Sequence, residues 1–337
     1  MKSLIYRFLL ITSLVCAAAF VWTEAPARAQ EAYTTQLEER HLPVGEFSSV
    51  SVSDDFDVTL AKGAYAVRVT TDKVLAPYVQ VYVRSKTLYV SYDEKAVPKD
   101  VKKMFKGRKA PAPVYRVVVF LPELNGISLS ENAVLSASDE FIGSRFEMEL
   151  TDKAAVKSLN LRASEINVRL KKNSQAMLTL SADKKMNLSA ENNANLKVSG
   201  GADQVSVVTA NSASVTLSGP SKRAVFTAAG SSKVSATEKA EESIEVQMAG
   251  SAKLQIGGEA PVLLIRAEKN AELEANSLKV KKVDAQMSGS TQAQVNVSED
   301  IDATLTGGSE LFYTGTPQVR IGKIIKSTLA PLGSTAK

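Results

Sequence analysis

Two carboxylates set two residues apart, Glu272 and Glu274, are the first residues of this sequence that could do chemistry. On a β-strand they would point to one side about 7 Å apart, and a pair of carboxyl groups is what glycoside cleavage uses as acid and base. A repeat described below puts Lys253 beside Glu272, and Gln255 and Gln294 beside Glu274. A cross-strand ion pair on a solvated face therefore explains them at least as well, and no aromatic platform for a sugar ring accompanies them. The second chemical feature is cationic. Lys99, Lys102, Lys103, Lys106, Arg108 and Lys109 fall within eleven residues, opposed only by Asp100 and flanked by Pro98, Pro111 and Pro113. Such a run is either a solvated insertion or a basic finger that docks acidic polysaccharide or lipid head groups, helped by Met104 and Phe105.

Other chemistries lack their residues. His41 is the single histidine, so neither a Ser-His triad nor a multi-histidine metal site can be assembled. Cys16 is the single cysteine and lies in an apolar leader, which leaves the rest of the chain without thiol or disulfide. Glu299-Asp300-Ile301-Asp302 could touch a cation weakly but reads as a polar turn, and Ser218-Gly219-Pro220-Ser221 reads as an ordinary turn. A glycine-rich calcium nonapeptide and a phosphate-cradling loop are both missing. No catalytic residue, metal or cofactor is expected.

The elements that would carry these residues come from a pattern of about 20 residues that recurs ten times between residues 125 and 316. Taking the small polar residue that opens each copy as its anchor gives Asn132, Lys153, Gln175, Asn193, Ser212, Ser231, Ser251, Asn270, Ser290 and Ser309. One residue on, a column of mostly Ala recurs (Ala133, Ala154, Ala176, Ala194, Ala213, Ala252, Ala271); three on, one of mostly Leu or Val (Leu135, Val156, Leu178, Leu196, Val215, Val234, Leu254, Leu273). The positions between are polar, so the segment is a strand with one buried face. A second alternating strand precedes each anchor, as in Val205/Val207/Thr209 and Ile244/Val246/Met248, and Gly-containing corners such as Ala229-Gly230-Ser231 join the two. The fold expected is all-β, a right-handed parallel β-helix. Ordering a coil costs roughly 1 to 2 kcal/mol per residue, and its inward side chains return only roughly 1.5 to 3 kcal/mol each. Neighbouring coils must supply the rest.

The flanks complete the organisation. Residues 1–29, with Lys2 and Arg7 before an apolar stretch and Ala27-Arg28-Ala29 at its end, read as a secretory signal peptide. Removing it lowers the net charge from +5 to +3, because Lys2, Arg7, Arg28 and Glu24 leave with it. That balance gives no reason to expect a nucleic-acid partner, and the remaining chain has no apolar run long enough for a transmembrane segment. Residues 30–45 are a polar lead-in. Residues 46–124 alternate as strands without a clear copy of the repeat, and contain the basic insertion 93–113, where one or two helical turns around Val101 to Phe105 are expected. Residues 317–337, with Val319, Ile321, Ile324 and Ile325 among Arg320, Lys323 and Lys326, read as an amphipathic cap or tail.

Three stretches resemble a known family: Phe47-Ser48-Ser49-Val50-Ser51-Val52-Ser53-Asp54-Asp55-Phe56-Asp57-Val58-Thr59-Leu60, then Leu121-Pro122-Glu123-Leu124, then Gly307-Gly308-Ser309 with Tyr313-Thr314-Gly315-Thr316-Pro317. Together they are similar to the putative auto-transporter adhesin, head-GIN domain family of exported bacterial proteins, over roughly residues 45–320. The resemblance implies a β-helical fold and an envelope location, and carries over no catalytic motif. The basic insertion is longer than the family's usual pattern. The function expected is a non-enzymatic envelope or surface protein, an adhesin that contacts surface glycans or other envelope components, in an oligomeric state the sequence leaves open. A carbohydrate-active enzyme and a purely structural envelope protein are the alternatives. A self-exporting autotransporter is not expected, since the chain to Lys337 holds no translocating barrel.

Overall fold

The computed structural model describes residues 36–333. The expected signal peptide, with Cys16 and Trp22, lies outside the described residues, as does the first part of the lead-in. From Gly126 onward every strand pairs in parallel with the strand one coil away, giving a parallel β-solenoid of about ten turns. The alternating sequence dictates this. Within one coil Ala194, Leu196 and Val198, then Val205, Val207 and Thr209, are buried, while Asn195, Lys197 and Ser199 between them are exposed. Burying one face of a 20-residue coil leaves both backbone edges unpaired, and only a coil above and a coil below can satisfy them.

Three details differ from the sequence reading. First, the two strands of a coil merge in several turns into one bent strand, as in Ala155–Leu170, Lys253–Lys269 and Glu272–Gly289. Ser218-Gly219-Pro220-Ser221 therefore lies inside the strand Ser214–Ala228 rather than at a turn, and Asp300 to Asp302 inside Gln292–Thr306. Second, two anchors move. Asn195 pairs with Gln175 and Glu310 with Gln292, so the anchors in phase are Asn173 and Gly308. The small buried column then reads Ala154, Ser174, Ala194, Ala213, Ser232, Ala252, Ala271, Thr291, Ser309. Third, a further inward position on the far corner is held by Ala163, Ala182, Ala202, Ser221, Ala240 and Ala260, each buried.

The residue before each anchor makes the tight turn. Glu131, Asp152, Lys172, Asn192, Asn211, Gly230, Gly250, Lys269, Gly289 and Gly307 all have φ between 55° and 81°. At Gly230 a Cβ would also stand 2.9 Å from the Asn211 backbone, so glycine relieves both the left-handed turn and the close stacking of coils. Amide side chains bridge the turns of successive coils, from Asn211 to Asn192 at 2.6 Å and from Asn193 to Asn173 at 3.4 Å.

The N-terminal region contains two more coils, stacked out of chain order. Its strands are β1 (Leu37–Leu42), β2 (Ser49–Val52), β3 (Asp57–Lys62), β4 (Ala66–Asp72), β5 (Val79–Arg84), β6 (Thr87–Tyr92), β7 (Tyr115–Leu121), β8 (Gly126–Leu129) and β9 (Val134–Ile142). The coil of β2 and β3 lies between the coil of β6 and β7 and the coil of β8 and β9, pairing in parallel with both. Beyond it β4 runs antiparallel to β7, β1 antiparallel to β4, and β5 antiparallel to β6. Leu75, Ala76 and Val97 fill the end of the core and are buried. The region thus both forms coils and closes one end.

Among the described residues of the repeats, one carboxyl lies inside the solenoid. Glu238 is 2 % exposed, and its neighbours above and below in the ladder are Gly258 and Gly219, which offer no side chain. Its carboxyl accepts a hydrogen bond from Ser221 Oγ at 3.2 Å. Burial pushes its pKa from 4.5 up to about 7, against the lowering effect of that hydrogen bond. A raised carboxyl binds its proton more tightly when folded, so the contribution is complete below pH 4.5 and is lost as the pH rises to about 7. Urea melts should show stability falling by about 3 kcal/mol across that interval. Glu238→Gln should flatten the slope and be the more stable form at pH 8; an unchanged slope would show that Glu238 titrates normally.

Candidate functional site

Most solenoid ion pairs join one coil to the next. Lys171 meets Glu149 at 2.9 Å, Lys172 meets Asp152 at 2.5 Å, Lys222 meets Asp203 at 2.8 Å, and Arg266 meets Glu245. Parallel stacking at one strand spacing puts side chains 19 to 22 positions apart side by side, and opposite signs stabilise that contact modestly on an exposed face.

The pair Glu272 and Glu274 belongs to this system. Glu272 pairs with Lys253, and Glu274 lies in register with Gln255 and Gln294, as the repeat predicts. The depression over them is lined by Ser214, Lys233, Val234, Ser235, Lys253, Leu254 and Gln255 besides the two carboxylates, with no aromatic side chain. Glu299 and Asp300, expected in a polar turn, are strand residues whose partners are Lys281 at 3.8 Å and Lys282 at 3.3 Å. Among the described residues no group of three or more His, Cys, Asp or Glu is placed to hold a metal ion. His41 is exposed, with Nε2 3.0 Å from Glu39.

The basic insertion is built differently. It enters where β7 would otherwise be preceded by a tight turn, and replaces that turn with a short helix, α1 (Lys99–Met104). Pro98 precedes α1, and Asp100 sits in its first turn near the positive end of the helix dipole. Half-buried Val101 and Phe105 pack against the core, so the insertion is anchored rather than free. Lys102 reaches Glu94 at 3.6 Å. Lys99, Lys103, Lys106, Arg108 and Lys109 have no ion-pair partner among the described residues. Five uncompensated cations within eleven residues have no counterpart in the coils.

Under the insertion lies a cleft of about 460 Å³, lined by Lys102, Phe105, Lys106 and Pro113 from the insertion and by Asp54, Asp55, Tyr92, Glu94, Tyr115, Glu131 and Asn132 from the coils, over Leu75. Tyr92 and Tyr115 stand 5.0 Å apart, tilted, with Phe56 5.4 Å behind Tyr115. Burial raises the pKa of both tyrosines, whose rings pack against each other. Asp54 accepts from the Tyr92 backbone N–H at 2.9 Å and from Ser53 Oγ at 2.8 Å, and Asp55 accepts from Asn132 at 2.6 Å. Of the cationic residues singled out from the sequence, Lys102 and Lys106 line the cleft and the other four do not. The carboxylates and tyrosines were not legible, because β2, β6 and β8 come together only after the chain doubles back.

The cleft wall breaks the pairing rule. The turn residues Asp54, Glu131 and Asp152 stack in successive coils with Asp55 alongside, so like charges stand one above another. Partial burial raises the pKa of Glu131, and the charges of Asp54, Asp55 and Asp152 with a hydrogen bond to Asp54 raise it further. Lys172 takes up the opposite side of Asp152. Carbon-detected NMR should find the Glu131 carboxyl titrating above the ordinary glutamate range, and Asp54→Asn should bring it down. A Glu131 midpoint unmoved by Asp54→Asn would show that the two carboxyls do not share a proton.

Among solved structures, one described as a "putative lipid binding protein" from Parabacteroides distasonis aligns over 89 % of this chain and 98 % of its own, at 16 % identity and a TM-score of 0.40. One described as a "putative adhesin" from Parabacteroides merdae aligns over 89 % and 97 % at 18 % identity and 0.34. Another described in the same words, from Bacteroides fragilis, aligns over 88 % and 97 % at 16 % identity and 0.33. No curated protein matches. A family model matches at residues 46–256 and 238–317, which takes in the closing coil, the basic insertion, the cleft and nearly the whole solenoid. The chain therefore belongs to the family described as "Putative auto-transporter adhesin, head GIN domain".

Proposed function

We propose that the protein is a non-enzymatic, exported surface adhesin that engages anionic glycans of the cell envelope through the outward cations of the α1 insertion. The observation that carries this reading is the contrast in charge. Coil surfaces balance many of their charges against the next coil, whereas Lys99, Lys103, Lys106, Arg108 and Lys109 are concentrated and unpaired. A clustered, uncompensated positive patch attracts polyanions and raises their local concentration. Below it, Tyr92, Phe105 and Asn132 offer a mixed apolar and polar wall for the uncharged part of a sugar ring, while Asp54, Asp55, Glu94 and Glu131 of the same cleft keep the acidic groups of the glycan on the insertion above. Many copies on one surface would bind multivalently. Family membership supports an adhesive role.

Sulfated and uronic-acid glycans on an array should bind the purified protein in a saturable, competable way, and more weakly as salt rises, because exposed charges are screened within about 8 Å at physiological ionic strength. Changing Lys102, Lys103, Lys106 and Lys109 together to Glu should lower that binding at least tenfold while leaving the thermal melt in place. Unchanged binding would remove the insertion from the reading. Release of reducing ends from any bound polysaccharide, lost in Glu272→Gln, would replace adhesion with catalysis.

A further inference from the structure

The two ends of the solenoid are finished differently. At the N-terminal end Leu75 is 2 % exposed and Val97 4 %, beneath antiparallel β1, β4 and β5. At the other end the strand Gln318–Ile325 pairs with Gln292–Thr306 on one side and has no strand on its other side among the described residues. Val319 and Ile321 stand in register with Ile301 and Ala303, two inward-facing core residues. They continue the core column, yet Val319 is 37 % exposed and Ile321 59 %. A free strand edge with its core column uncovered is a template for another strand.

Charge says which strand fits. Along one corner of the solenoid the coils are joined by pairs of opposite sign: Arg162 with Asp183, Asp203 with Lys222, and Arg223 with Glu242. In the last coils Asp300 is bridged on both sides, by Lys282 at 3.3 Å and Arg320 at 3.3 Å, and Arg320 also takes Asp302 at 2.8 Å. The ladder stops on a cation. Arg320 has donors left beyond those it gives to Asp300 and Asp302, and Lys323 beside it has no ion-pair partner among the described residues. The edge is therefore complementary to a strand that is acidic on its outward positions and apolar on its inward ones.

We propose that Gln318–Ile325 is a docking edge for an extended, acidic and apolar segment of a partner protein, which adds in parallel as one more rung of the solenoid. Its apolar residues cover Val319, Ile321 and Ile324, and its carboxylates meet Arg320 and Lys323. A second copy fits less well. Joined end to end in a closed pair, it would set its own Arg320, Lys323 and Lys326 against these. Joined head to tail, it would offer β1, whose Glu38 and Glu39 are already engaged by Arg40 at 4.0 Å and Arg68 at 3.5 Å.

The chain contains a suitable probe, because residues 298–306 (Ser-Glu-Asp-Ile-Asp-Ala-Thr-Leu-Thr) satisfy the opposite edge of the same strand. A fluorescein-labelled peptide of that sequence should bind the full chain with a saturable rise in anisotropy. Affinity should fall at least tenfold in Ile321→Lys and in Lys323→Glu, both at exposed positions where the melt should stay unchanged. It should fall likewise for a peptide with Asp300→Lys and Asp302→Lys. No saturation at millimolar protein, or equal binding of the charge-swapped peptide, would overturn the proposal. So would sedimentation showing self-association abolished by Ile321→Lys, since the edge would then belong to a second copy.

Discussion

Everything in this molecule depends on one constraint: each coil has its backbone satisfied, and its core covered, only by the coil above and the coil below. Stacking at a single strand spacing means that each position meets its own equivalent. A small residue meets a small residue in the Ala133 to Ala271 column, and an amide meets an amide between Asn211 and Asn192. A charge meets its opposite between Lys253 and Glu272. The same rule makes exceptions conspicuous. Asp54, Glu131 and Asp152 bring like charges together under the basic insertion, and Glu238 puts a carboxyl where the column holds Leu180 and Leu278 in other coils. One exception lies at the cleft, and the other couples folding to pH.

A stack of this kind also has to end, and the chain solves that problem once. The segment from Leu37 to Leu121 doubles back, so that antiparallel strands and the residues around Leu75 seal the N-terminal end and the insertion folds over its rim. That doubling back brings Tyr92, Tyr115 and Asp54 together. The cleft is therefore a by-product of capping, in which residues distant along the chain meet at the one place where coils are stacked out of order. At the opposite end the core column runs out to solvent at Val319 and Ile321.

The solenoid is readable because its signal is redundant: ten copies repeat one alternation, and the two leading buried columns keep mostly to one size class, small residues in the first and Leu or Val in the second. Errors arose where redundancy failed. Gln175 drew the anchor two residues late because Ser174 and Ala176 both suit an inward position, and a two-residue slip keeps the same face inward. The far-corner column of Ala182, Ala202 and Ala240 is hidden because each is a small residue among polar or glycine neighbours (Ser181 and Asp183, Gly201 and Asp203, Lys239 and Glu241), which looks like a loop. The coil of β2 and β3 was hidden for another reason. Phe56 and Tyr115 stand where the repeats have Ala, because the core widens at the cap, and its neighbours in space are not its neighbours in sequence. Of the candidate site, the cations and the short helix were legible; the tyrosines and stacked carboxylates that complete it are products of the non-sequential stacking.

If neighbours rather than local propensity hold each coil, protection should be graded along the rod and not uniform within it. Native-state hydrogen exchange followed by mass spectrometry is the direct test. Amides of Gln318–Ile325 should exchange first, the closed end around β7 should resist, and the coils between Ala155 and Met287 should be the most protected. Earliest exchange at β7, or equal protection from Leu37 to Ile325, would contradict a stack sealed at one end and open at the other.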